Sequence, residues 1–196
     1  MVRAQVERER QRKQQSREEF LASLNVEVAL LEVESIESPD FPRTLELINK
    51  SNQFNTTGRR WTQQECVAAL DQNTRFFVFE VKDKFTRYGI VGVVICEDSH
   101  IAQFVMSCRV VGLDVEIGVI AELLRVLRSG MGVSSITAAM TETALNLLAR
   151  DLWERCGFKA GSERWSHDGS PELARPPHIN VSTAARGVPA SLEAAQ

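Results

Sequence analysis

The sequence predicts a mixed α/β domain, a central sheet with helices on its faces. Three observations predict it. The chain has 196 residues, 43% of them hydrophobic and 25% charged, enough for one core of ordinary size. Three consecutive strand-like runs, Arg75 to Val81, Tyr88 to Cys96 and His100 to Val111, are joined by short polar turns. The apolar period then changes from 2 to 3.6, as helices require.

Residues 1–24 read as a charged connector helix. They contain no Gly or Pro, and large apolar residues gather only at Phe20, Leu21 and Leu24. Asn25 to Val33 is β-branched and partly alternating, hence a strand. Arg43 to Lys50 has helical spacing through Leu45 and Ile48. Thr62 followed by Glu65 is a capping box that opens a short helix to about Leu70. The three strands follow, the first two as a hairpin about DKFTRY. Val115 to Arg128 places Val115, Val119, Ile120, Leu123, Leu124 and Leu127 on one face, and Gly130 ends it. Val133 to Met140 reads as a strand of small residues, Glu142 to Arg155 as a second amphipathic helix, and Lys159 to Trp165 as a last strand. The globular part is thus 25–166. From His167 the chain is rich in Pro, Gly, Ser and Ala, and 167–196 is predicted to be a flexible tail.

Several function classes are excluded. A net charge of −3 argues against a nucleic-acid binder. No apolar run reaches the ~18 residues of a membrane span, and the start carries no secretory signal, so a cytoplasmic location is expected. The four cysteines form no C-x-x-C pair and the three histidines are far apart, so no metal site is expected.

Chemistry concentrates at one junction. A strand ends at Cys108-Arg109, the turn Val110-Val111-Gly112-Leu113-Asp114 follows, and a helix opens. Backbone amides and the helix dipole there suit an anion. Cys108 is either a nucleophile, activated by Arg109 and the helix N-terminus, or a packing residue. The segment Asn49-Lys50-Ser51-Asn52-Gln53-Phe54-Asn55-Thr56-Thr57-Gly58-Arg59-Arg60-Trp61 is polar and dense in amides. It reads either as a substrate-binding wall, through Asn52, Gln53, Asn55, Arg59 and Arg60, or as a loop whose amides bond its own backbone.

The run Asn146 to Phe158 has the form N-x-x-A-x-x-x-(aromatic)-x-x-x-G-F and resembles the C-terminal motif of the GNAT-fold N-acetyltransferases. Arg109 to Asp114 is similar to that superfamily's pyrophosphate loop, R-x-x-G-x-G/A. Two residues depart from the pattern. Asp114 sets a carboxylate where a diphosphate would lie, and Trp153 stands where a tyrosine commonly serves as general acid.

A narrower resemblance, over about residues 17–166, is to the C-terminal half of FkbH-like proteins. Asn49 to Trp61 is similar to that family's N-K-T-N-Q-F-N-L-T-T-R-R-Y. Phe104 to Glu116 resembles its F-L-M-S-C-R-V-L-G-R-G-V-E. Members join a haloacid-dehalogenase-type phosphatase half (subfamily IIIC) to a GNAT-like half, and form a glyceryl thioester on an acyl carrier protein in polyketide pathways. No D-x-D-x-T/V phosphatase motif occurs in this chain. The resemblance implies an acyltransferase that receives a phosphopantetheine arm, of a carrier protein or of coenzyme A, in the splay between the central strands. Arg109, Val110, Val111, Gly112 and Leu113 would hold its polar end, and Glu116 would cap the helix. Asn146 would face the pantetheine amides or fix the strand opening. A non-catalytic carrier-binding module and an acetyl-CoA-dependent N-acetyltransferase are the alternatives. An acyl carrier protein, and a phosphatase domain of the dehalogenase type, are the implied partners, with neither nucleic acid nor membrane.

Overall fold

A computed structural model describes residues 16–184. The elements in chain order are α1 (Arg17–Leu24), β1 (Val26–Val33), α2 (Phe41–Lys50), α3 (Gln63–Asp71), β2 (Arg75–Lys82), β3 (Arg87–Glu97), β4 (His100–Met106), α4 (Val115–Met131), β5 (Ile136–Ala138), α5 (Leu152–Arg155), β6 (Lys159–Ala160), β7 (Trp165–His167) and β8 (Ile179–Ala184). The strands form one sheet in the order β6-β7-β5-β4-β3-β2-β1-β8. The pairs β1–β2, β2–β3 and β3–β4 are antiparallel, whereas β4–β5 and β1–β8 are parallel.

Side-chain alternation along β2 builds two cores. Phe77, Phe79 and Val81 pack with α1, α4 and α5, while Phe76 and Val78 point the other way, towards α2 and α3. The expected cap is present, and a second was not foreseen. Thr62 and Glu65 form the reciprocal box of α3, and Ser16 with Glu19 forms another at α1.

Three expectations are corrected. Glu142 to Arg155 is not one helix. The Thr143 hydroxyl accepts from the amides of Leu145 and Asn146, and the Asn146 side chain accepts from the Thr143 amide. These local bonds displace the helical ladder. Only a 3-10 turn at Leu147–Ala149 and the single turn α5 remain. The strand from His100 stops at Met106, because Ser107 turns the chain into a 3-10 turn over Cys108–Val110. The tail boundary at 167 also moves. His167 pairs with Ile136, and β8 lies parallel to β1 from Val26↔Ile179 to Leu31↔Ala184. Ile179 and Val181 are buried in the core. The first part of the connector helix, before Ser16, and the tail beyond Ala184 lie outside the described residues.

His167 gives the fold a pH dependence. It is 2% exposed, and its Nδ1 accepts from Arg128 Nη2 at 2.8 Å and the Gly169 amide at 3.0 Å. Burial first, and then Arg128, hold its pKa below 6.5; burial lowers that of His100 too. The unfolded chain therefore binds more protons than the folded one below about pH 6.5, so stability falls as pH drops through that value. Glu116 acts in the opposite sense, since burial raises its carboxyl. Urea midpoints at pH 7.5, 6.5 and 5.5 are expected to be level over the first interval and to fall over the second. His167→Gln should flatten that fall; an unchanged slope in the variant would dissociate it from His167.

Candidate functional site

The site is built where β4 and β5 part. The two strands pair only at His100↔Thr137 and Ile101↔Ala138. Beyond that point β4 runs on alone, and its free edge is taken by the chain itself. The Thr56 amide donates to Phe104 O at 3.0 Å, and the Met106 amide donates to Phe54 O at 2.9 Å. Asn55 and Val105 form an antiparallel bridge. On the other side, the Thr141 amide donates to Thr56 O at 2.8 Å. Residues 54–56 thus fill the splay like a short strand. The opening that the resemblance reserves for a pantetheine arm is occupied by the protein's own backbone.

Asn146 secures this arrangement. It is 1% exposed, and its Nδ2 donates to Asn55 O and Thr141 O, each at 2.9 Å. Of its two sequence readings, fixing the strand opening is the one its geometry meets. Asn55 is likewise internal. Its Oδ1 accepts from the Gly58 and Thr57 amides and from Gln103 Nε2, and its Nδ2 donates to Ser51 O. The Arg60 guanidinium donates to Ile48 O and Ser51 O, closing the end of α2, and also to Asn52 Oδ1. Arg59 lies over the Trp61 ring, 3.8 Å from its centroid. Asn55 and Arg60 therefore belong to the loop's own structure, a correction to their reading as a substrate wall, while the half-exposed Arg59 lines a separate groove with Trp61 and Glu65. Gln103 joins them: it accepts from Trp61 Nε1 at 2.8 Å and donates to Arg59 O at 2.9 Å. One polar residue in the apolar strand HIAQFVM was the signal for it.

The loop before α4 also differs from an open anion cradle. The amides of Val110, Val111 and Leu113 donate to Ser107 O, Cys108 O and Val110 O, each at 3.3 Å. The side chains of Val110 and Leu113 are buried. Gly112 turns the chain at φ +84°, a conformation glycine adopts without steric cost. Asp114, the N-cap residue of α4, accepts from Arg17 Nη2 at 2.9 and 3.1 Å. Arg155 lies 3.5 Å from it and donates to Glu116 at 2.8 Å. Glu116 is 2% exposed, and burial raises its pKa against the pull of its own amide and Arg155. The helix N-terminus is thus faced by two internal carboxylates with their own cations. Arg109 is exposed, and its side chain reaches only as far as Ser107 Oγ at 3.3 Å.

Trp153 is fully buried, with its indole N–H donated to Ala139 O at 3.0 Å, so it supports the segment after β5 rather than offering a proton.

The thiols separate clearly. Burial pushes Cys66 up to about 11 and Cys96 up to about 12, and raises Cys156 as well. Cys108 is the exposed cysteine. It sits at the edge of a groove of about 460 Å³ lined by Arg43, Glu46, Lys50, Asn52, Gln53, Phe54 and Met106, among others. The structure therefore brings Cys108, Asn52 and Gln53 together, leaves Asn55 and Arg60 in the scaffold and places Arg59 at a separate groove. The charged face Arg43, Glu46, Lys50 of α2 was not singled out from sequence, although its i, i+3, i+7 spacing marks it. Among the described residues no group of three or more His, Cys, Asp or Glu side chains converges to hold a metal ion, and no helix is long and apolar enough to cross a membrane.

No family model matches the chain, and no curated protein matches it in sequence. Solved structures do match. Spermidine N-acetyltransferase from Vibrio cholerae, in complex with CoA and spermine, superposes with a TM-score of 0.52 at 17% identity, over 75% of this chain and 98% of its own. An N-acetyltransferase from Staphylococcus aureus Mu50 superposes at 0.50 and 15% identity, over 71% and 98%. The chain has the GNAT fold.

Proposed function

We propose that this GNAT-fold domain is an acyltransferase of FkbH type. It takes a small glyceryl-type acyl unit onto Cys108 and passes it to the phosphopantetheine thiol of an acyl carrier protein, in polyketide-like biosynthesis. The observation that carries the reading is the single exposed thiol at the edge of a polar groove, beside a splay already filled by residues 54–56. A covalent relay through Cys108 needs the groove and not the splay.

The chemistry is ordinary acyl exchange. The Cys108 sulfur attacks the carbonyl carbon of an acyl phosphate. The S–C bond forms, the C–O bond to phosphate breaks, and phosphate leaves with that electron pair while the thiol proton passes to solvent. The carrier thiol then attacks the thioester, its proton is lost, and Cys108 departs as thiolate and is reprotonated. Asn52 and Gln53 line the groove with amide groups suited to hydroxyls of the acyl unit. The phosphatase step that the resemblance implies would belong to a partner half of the dehalogenase type. A carrier arm, or coenzyme A, would supply the accepting thiol.

One observation favours a second reading, a non-catalytic carrier-binding module: Asp114 and Glu116 confront any phosphate at the α4 N-terminus, and the Trp153 N–H is spent on Ala139. Intact-protein mass spectrometry decides between them. Incubation with the glycolytic bisphosphoglycerate is expected to add an acyl mass that hydroxylamine removes, and a phosphopantetheinylated carrier should take it up. Cys108→Ser should form no adduct. If the unchanged protein binds the carrier yet never acquires the mass, the module reading stands and the relay falls. Calorimetry with coenzyme A is expected to show weak binding or none; micromolar binding with acetyl turnover to an amine would favour the N-acetyltransferase alternative instead.

A further inference from the structure

The α2 wall of the Cys108 groove carries charges that the acyl relay leaves unused. Arg43, Glu46 and Lys50 succeed one another along the last turns of the helix. Arg43 Nη1 donates to Glu46 Oε2 at 2.6 Å, and Lys50 Nζ donates to Glu46 Oε1 at 2.9 Å. The single carboxylate therefore holds two cationic heads side by side, and Lys50 and then Arg43 keep it ionised by lowering its pKa. Arg43 is steadied further by its Nε, 3.4 Å from Ile90 O. Outside the groove, Arg60 donates to Ser51 O and to Asn52 Oδ1. Because Asn52 Oδ1 is committed to Arg60, its Nδ2 is the end left to donate. Two cations thus flank one carboxylate along this groove, in a chain whose net charge is −3.

We propose that this wall is a binding subsite for a phosphate ester. Lys50 and Arg43 supply the charge, Asn52 Nδ2 supplies a directed donor, and the phosphate is held within the same groove as the Cys108 thiol. Asn52 and Gln53 at the floor, and the thiol at the edge, make the groove a built site with the cations along one side. The proposal shares its groove with the acyl relay, but its recognition step does not require that chemistry. Two sources offer the same group: the distal phosphate of a phosphorylated acyl donor, and the phosphate of a carrier's pantetheine arm. Their shared chemistry is an esterified phosphate, close to the reacting carbon in the donor and at the far end of the arm from the reacting sulfur.

Alkylation of Cys108 in the full chain tests this without any turnover. The rate is read from the Cys108 peptide by mass spectrometry, with iodoacetamide as reagent. 3-Phosphoglycerate and phosphopantetheine are added separately, each against its unphosphorylated counterpart, glycerate or pantetheine. At least one phosphorylated compound is expected to slow alkylation about 5-fold or more at concentrations where its counterpart has no effect. Protection by phosphoglycerate alone assigns the subsite to the donor, by phosphopantetheine alone to the arm, and by both to either in turn. Lys50→Met should remove the protection, and Arg43→Lys should weaken it while keeping the charge. Lys159→Met, which lies on β6 and pairs with Asp168, serves as the remote control and should protect like the unchanged chain. Lys50 is largely exposed, so its variant is expected to fold, which circular dichroism checks. Equal alkylation with phosphorylated and unphosphorylated compounds, or full protection in Lys50→Met, overturns the subsite. Protection with no thioester formed would remove the acyl relay and leave the subsite standing; a thioester with no protection would do the reverse.

Discussion

Asn55→Ala is expected to destabilise the domain by about 3–5 kcal/mol, whereas Asn52→Ala should cost about 0.5 kcal/mol or less. The two residues are three apart in one amide-rich segment, and their surroundings decide the difference. Asn55 is fully buried, and its side chain is bonded to four groups, Ser51 O, the amides of Thr57 and Gly58, and Gln103 Nε2. Alanine leaves those partners without it in a region closed to water, and each orphaned group costs about 1–3 kcal/mol. Gln103 would lose one of its three side-chain partners, and with it the bond from Trp61 would loosen. The segment in the splay would then lose its floor, so Asn55→Ala should also raise amide exchange at Thr56 and Met106, whose N–H groups cross that seam. Chemical denaturation of the two variants measures the gap. Equal stabilities would mean that the Asn55 network carries no weight and that residues 54–56 are held by other means.

The same pair of residues shows what could be read from the sequence. The short apolar runs between Arg75 and Met106, parted by polar turns, specified three adjacent strands, because each strand buries both faces in different cores and so reads as a continuous apolar run. The turn at Gly112 and the N-x-x-A pattern from Asn146 pointed to the GNAT fold for the same local reason. What stayed hidden depends on distant partners. Asn146 bonds to Asn55 O across 91 positions of sequence, and that contact, with the Thr143 hydroxyl, outcompetes a helix that residues 142–155 would form by spacing alone. The polar signature revealed amides and guanidiniums but not their direction. Whether an amide meets a ligand or its own backbone is set by where β4 and α2 lie, and only the fold supplies that. Cys108, Asn52 and Gln53 meet at one groove because Ser107 breaks β4 one residue before the thiol. No spacing rule contains that break.

Truncation after Ser170 is expected to lower the melting temperature by at least about 10 °C, although composition alone marks this segment as dispensable. It removes β8, whose backbone pairs with β1 over the whole of Val26 to Leu31. Ile179 and Val181 leave the core, and burying such side chains contributes about 1.5–3 kcal/mol each. Ile179 also rests on α4 at Gly118, where even one added carbon would meet its Cγ2 at 2.9 Å, so the strand and the helix are fitted to each other. His178 leaves too, and with it the contact to Leu113 O at 3.0 Å that ties this segment to the loop before α4. A net loss of roughly 3–5 kcal/mol corresponds to about 10 °C in a domain of this size. The exposed flank of β1 would in addition present an unpaired strand edge, so the truncated chain should aggregate on heating where the full chain does not. A melting temperature within about 2 °C of the full chain would show that β8 is a passive addition and that the domain ends, as its composition suggested, near residue 167.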